Sequence, residues 1–238
     1  VVPKPGDPQA FNRFSYAKNS PVRYSDRTGH IEEDEVVEAG RYQSQLMAYD
    51  VYIDVDWGYS KGKWQAGLWT LAEMGTLLKA VSALASAMGG ADAFKANLQV
   101  VWVSQGGTKW AGEGEAHHVT LHEGGFTDWT VVHEMAHAWD DVNGGRLSKE
   151  YEKAVGAHTS FFGKYDPGPG VPPKCTDERF NRKEDFAEAV TALVYPDQAQ
   201  AWIASTCPAS GYTDFTETAR GHYVALMLSP SDRARYEK

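Results

Sequence analysis

Apolar residues recur along this chain with two periods, and the switches between them mark out its elements. From Leu46 to Trp57 the sequence alternates, with Val51, Ile53 and Val55 on one face and Tyr52, Asp54 and Asp56 on the other, which predicts a half-buried strand with a polar outer face. Thr70 to Met88 changes to a helical period: Leu71, Met74, Leu77, Leu78, Val81 and Leu84 share a stripe, Thr70 and Glu73 form a capping box, and Gly89-Gly90 ends the run. Asn97 to Ser104 reads as a buried strand, the glycine-broken Gly106 to Glu115 as a loop, and His117 to Glu123 as a second alternating strand with His118, Thr120 and His122 on one side. The helical period returns in Thr127 to Gly145, Ser148 to Gly156, Arg182 to Tyr195, where Pro196 follows the last turn, and Glu217 to Leu228. Residues 1–30 carry no sustained period, and the acidic run Ile31 to Glu38 reads as solvated surface.

One of these helices carries chemistry. Within TDWTVVHEMAHAWDDVNGG, His133, Glu134 and His137 spell His-Glu-x-x-His, which puts two imidazoles four residues apart on one face. That spacing suits zinc, which takes neutral imidazole nitrogens at about 2.0–2.1 Å and, where it is catalytic, keeps three protein ligands and an open position for water. Glu134 is turned about 100° from His133, where it faces the water as a general base without being a ligand. Asp128 or Thr127 caps the start, Asn143-Gly144-Gly145 stops the helix, and Asp140 or Asp141 is placed to orient an imidazole or to be solvated. The strand ahead of this helix then reads as the edge of a substrate cleft, where an extended peptide adds as another strand within reach of His118 or His122.

Composition changes the picture in three ways. The 238 residues suffice for one sizeable domain, with an arm of unassigned structure over 1–45 and a domain over 46–238 divided into lobes at about residue 145. A net charge of −9 without clustered Lys and Arg argues against a nucleic-acid partner, and no apolar run is long enough to predict a membrane span. The two cysteines, Cys175 and Cys207, have no metal-type spacing; paired, they close a loop of roughly 30 residues worth about 3–4 kcal/mol in the chain-entropy model. With the first residue Val1, they lead to the expectation of a processed, secreted chain.

The third ligand is expected from the helix at Arg182 to Tyr195. Glu184 and Glu188 share a face there, so one reaches zinc and the other supports a ligand histidine, while Asp185 points elsewhere. His133-Glu134-Met135-Ala136-His137, followed by Ala138-Trp139-Asp140-Asp141 and later by Glu184-Asp185-Phe186-Ala187-Glu188-Ala189, resembles the zinc peptidase domain of anthrax lethal factor and the related Pro-Pro endopeptidases. The resemblance covers about a fifth of the chain. It implies an α+β zincin-like domain, with a mixed sheet and backing helix in an N-terminal lobe and a mostly helical C-terminal lobe. It also implies Glu184 as the third ligand and Glu188 as the supporting acid. The family's oxyanion-stabilising tyrosine, seven residues before the ligand glutamate, falls on Asp177, which leaves Tyr165, Tyr223, His158 or His222 to donate.

The function expected is a zinc-dependent endopeptidase acting on a peptide or protein substrate. Two other readings stand beside it. One is a zinc-bearing interaction module, to which Trp57, Trp64, Trp102 and Trp110 give weight; the other is a hydrolase of a non-peptide amide.

Overall fold

A computed structural model describes residues 30–107, 111–122, 125–155, 181–206 and 215–229. Cys175, Cys207, Trp110, His158, Tyr165 and Asp177 lie outside them, as do residues 1–29 of the N-terminal arm. The described fold is α+β, with a mixed sheet and mostly helical content.

The helix expected at Thr70 forms as α2 (Leu71–Ala87), and both bonds of its capping box are made: Glu73 N–H donates to Thr70 Oγ1 at 3.1 Å and Thr70 N–H to Glu73 Oε2 at 2.7 Å. Met74, Leu77, Ala80, Val81 and Leu84 are fully buried, against α1 (Val36–Met47) on one side and α4 (Asp128–Val142) on another. α1 is a departure from expectation. The acidic run at 31–38 leads into a helix whose Ala39 and Leu46 enter the core, and Ile31 is itself buried, its N–H donating to Trp69 O. This helix crosses the boundary drawn at residue 46. Its charges face solvent, so its apolar stripe is too sparse to read from periodicity alone.

The first strand is correspondingly shorter than expected. Leu46 belongs to the last turn of α1, β1 is only Val51–Ile53, and Val55 is exposed. α3 (Ala91–Leu98) takes Asn97 and Leu98 out of the next strand, leaving β4 as Val101–Gly106. A two-stranded hairpin, β2 (Gly58–Ser60) with β3 (Lys63–Gln65), stands apart from the main sheet.

The main sheet runs β1-β4-β6-β5, with β6 (His118–His122) parallel to β4 and antiparallel to β5 (Gly112–Glu115). Two expectations fail here. The loop over Gly106 to Glu115 contains a strand, and the strand at His118–His122 lies inside the sheet because that new strand takes the edge. The sequence GEGE lacks the β-branched and aromatic residues that mark strands; pairing with β6 and packing on α4 make it one.

One face of the sheet is core, with Val51, Val101, Val103, Val119 and Leu121 at 0 % exposure. The other is open: Tyr52 stacks on Trp102 at 5.1 Å between ring centroids, and Trp102 and His118 are exposed. Trp57 and Trp64 are instead partly buried against the core. Beyond α4 follow α5 (Arg146–Val155), α6 (Arg182–Val194), α7 (Pro196–Thr206) and α8 (Ala219–Leu228). Pro196, expected to end a helix, also begins one, since a proline at the first helical position gives up an N–H that would be unbonded anyway. Among the described residues no single helix is long and apolar enough to cross a membrane.

Candidate metal centre

Helix α4 is held at both ends by local chemistry. Thr127, not Asp128, is its cap, its Oγ1 accepting from Thr130 N–H at 3.1 Å; Asp128 instead pairs with Lys79. At the far end Gly144 and Gly145 take φ of 66° and 72°, a region that disfavours side chains, and turn the chain directly into α5. Val131, Val132, Met135, Ala136 and Ala138 are fully buried, so the rotation of α4 about its axis is fixed by the core. The remaining face presents His133 and His137.

Glu184, in the first turn of α6, meets both imidazoles. His133 Nε2 lies 3.1 Å from His137 Nε2 and 3.1 Å from Glu184 Oε2, and His137 Nε2 lies 3.4 Å from Glu184 Oε1. All three ligand atoms fall within 4.8 Å of one another. Asn181 fixes the start of α6, its side-chain oxygen accepting from Lys183 and Glu184 N–H. Glu188 sits half-buried one turn further on; Glu184 is the acid brought to the histidines.

The donor spacing tests whether a metal fits. Two donors at about 2.0–2.1 Å from a common ion, at tetrahedral angles, stand about 3.3–3.4 Å apart. The separations of 3.1–3.4 Å match that, and two imidazole nitrogens facing each other gain little without a proton or a cation between them. A His, His, carboxylate set is one that holds divalent metal ions, zinc among them.

The same crowding sets the charges of the metal-free site. Hydrogen bonds from His133 and His137 hold the Glu184 carboxyl well below the usual carboxylate range, against the opposing effect of burial. Burial pulls the His137 pKa down, but the hydrogen bond to Glu184 and the charges of Glu184, Glu134 and Asp141 outweigh it, and the net shift is upward. Glu134, 7 % exposed, is pushed up chiefly by burial, with a pull downward from the two imidazoles.

A cleft of about 580 Å³ opens over these residues, lined on one side by Ala111 to Glu115 and on the other by Asp141, Asn181 and Lys183. The first wall is β5, laid directly on α4. A Cβ on Gly114 would stand 2.1 Å from Glu134 O, and one on Gly112 would stand 2.6 Å from Glu134 Cγ, so only glycine permits this approach. His122 N–H donates to Ala111 O, which makes residues 111, 113 and 115 the ones bonded to β6. The N–H and C=O groups of Gly112 and Gly114 therefore point outward along the sheet edge, which pairs with no further strand among the described residues. β5, rather than the strand containing His118 and His122, is the edge that borders the cleft.

Other candidates find different work. Asp140 is buried and accepts from Ser148 N–H at 2.9 Å, capping α5, and Asp141 accepts from Lys183 Nζ at 2.6 Å, acting on His137 through its charge rather than through a hydrogen bond. Asp185 points elsewhere as expected, into a buried ion pair with Arg220. Tyr223 packs on Tyr151 with its hydroxyl pKa raised by burial, and neither it nor His222 lines the cleft. His122 lies against Gly106, 3.7 Å from Glu113. Gly112, Gly114 and the Lys183–Asp141 pair are site features that sequence reasoning missed; the alternation of glycine in GEGE beside a histidine strand was the available signal.

Comparison of the chain with protein-family models, with curated proteins and with solved structures finds no match.

Proposed function

We propose that this protein is a zinc-dependent endopeptidase of the zincin type, with His133, His137 and Glu184 as the metal's ligands. The observation that carries the reading is the convergence of those three side chains at ligand spacing beside a buried Glu134. A zinc ion held there supplies a Lewis acid for the scissile carbonyl and lowers the pKa of a water toward about 7.

The chain's own residues do the rest. Gly112 and Gly114 offer their outward N–H and C=O groups to an extended substrate, which adds to the sheet as a strand across the cleft. Glu134 accepts the attacking water's proton and passes it to the leaving amine, and its raised pKa brings it closer to the pH at which both transfers are efficient. β5 on one side and the core on the other keep bulk water from Glu134.

The test is cleavage of a diverse peptide library by the zinc-loaded full chain and by Glu134→Ala. Cleavage by the parent and none by the variant supports the endopeptidase. Silence from both, with zinc bound in each, sinks it and favours a binding module.

A further inference from the structure

Lys183, Glu184 and Asp185 are consecutive in the first turn of α6, so their side chains leave the axis about 100° apart. Each meets a different partner. Lys183 Nζ reaches Asp141 on α4 at 2.6 Å, Glu184 reaches the two imidazoles, and Asp185 reaches Arg220 on α8, with Arg220 Nη1 2.5 Å from Asp185 Oδ1. The Lys183 pair is partly exposed and screened by solvent. The Arg220 pair is 5 % and 2 % exposed, and its guanidinium also lies over the Tyr151 ring at 5.7 Å with Nη1 3.4 Å from the Tyr151 hydroxyl.

A buried ion pair is a poor device for stability alone, because apolar residues of the same volume serve as well or better. What it adds is direction. A carboxylate about 6 Å from a helix axis moves about 1 Å for a rotation of about 10°, whereas metal sites tolerate about 0.2 Å. Phe186, Ala187, Ala189 and Val190 seat the body of α6 in the core, and we propose that Arg220 is a positioning residue for the metal centre: through its buried pair with Asp185 it fixes the first turn of α6 and so holds Glu184 at His133 and His137. This rests on the metal reading of those three residues.

The test uses the full chain, with cobalt(II) and zinc as probes in competition titrations, the visible bands of bound cobalt, and the melting temperature. Four variants serve: Arg220→Met, Arg220→Lys, the double variant Asp185→Leu/Arg220→Met, and Val224→Ala, which loosens buried packing of α8 while keeping both partners of the pair. The expected result is metal affinity about 10–100-fold weaker in both Met variants, with altered cobalt bands. The double variant is expected to recover the parent's melting temperature but not its affinity, Arg220→Lys to fall between, and Val224→Ala to melt lower with affinity and bands unchanged. A double variant that folds and binds cobalt as the parent does overturns the inference, as does affinity that simply tracks melting temperature across the set. Should neither Met variant fold, parent affinity and bands in Arg220→Lys overturn it. A parent that binds neither metal fails the metal reading itself, a different and recognisable result.

Discussion

The two walls of the cleft are built on opposite principles. β5 approaches α4 by omitting side chains, glycine on backbone, whereas α6 approaches it through side chains, with Glu184 and Lys183 reaching across to the imidazoles and Asp141. The first wall is held by shape and does not tolerate added volume. The second is held by charge and length, and is sensitive to both where its groups are buried. Between them Glu134 is walled by one and electrostatically coupled to the other, so chemistry, shape and metal binding are separable by substitution.

The largest separable effect is expected from Glu134→Gln, which alters neither wall. Turnover on a cleaved peptide is expected to fall about 10²–10⁴-fold, with zinc content and melting temperature retained. Loss of zinc in that variant would show that the floor and the α6 wall are not independent.

Gly114→Ala attacks the shape-held wall. Its Cβ meets backbone of α4 rather than a flexible side-chain tip, so the strand must lift, at a cost of about 1–3 kcal/mol in denaturant unfolding. Peptide cleavage is expected to drop more than zinc affinity, since a lifted strand clears His137 Cβ, which the added methyl would otherwise meet at 2.8 Å. Lys183→Met attacks the charge-held wall where it is partly exposed, and a change of only about 0.2–1 kcal/mol is expected. A larger loss from Lys183→Met than from Gly114→Ala would reverse the account of which wall is brittle.

Acid and base act on the charge-held wall through Glu184 and its partner His137. In the metal-free protein the Glu184 pKa is lowered, so its contribution is present above the unfolded value of about 4.3 and is lost as pH falls through the depressed one. The His137 pKa is raised, so its contribution is full below about 6.5 and is lost as pH rises through the elevated value. These two groups together favour the metal-free fold most between about pH 4.3 and 6.5. Zinc competes with the His137 proton, so its affinity is expected to climb by up to about tenfold per pH unit until that proton is gone, then to flatten. Competition titrations between pH 5.5 and about 8 measure that slope.

Effects on stability alone should come from positions that only hold α4 and α5 in place. Asp140→Ala removes the acceptor for Ser148 N–H and Thr127→Ala removes the cap of α4, and each is expected to cost about 1 kcal/mol by thermal or denaturant unfolding. Neither is expected to change the pH profile.

The same contrast between walls explains what the sequence discloses. α2, α4 and α6 announce themselves through a helical period, α2 also through its capping box at Thr70 and α4 through a start signal at Thr127 or Asp128, because those signals are local. His133, Glu134 and His137 are legible for the same reason: four residues make one turn. Glu184 is reached through the spacing of its own helix and through a resemblance, since nothing local says which acid faces the histidines. β5 is illegible because GEGE is a strand only in the presence of β6 and α4, and its glycines are meaningful only beside Glu134. The Asp185–Arg220 pair is equally invisible, joining residues that only the packing of α6 against α8 brings together.

The central claim is that Glu184 completes a metal site with the histidines of α4, and the most direct measurement is metal retained after zinc loading and exhaustive dialysis. The parent is expected to keep a single zinc per chain and Glu184→Ala to lose it, while Glu188→Ala keeps it or binds it more weakly. A Glu184→Ala variant that holds zinc with the parent's affinity would contradict the account.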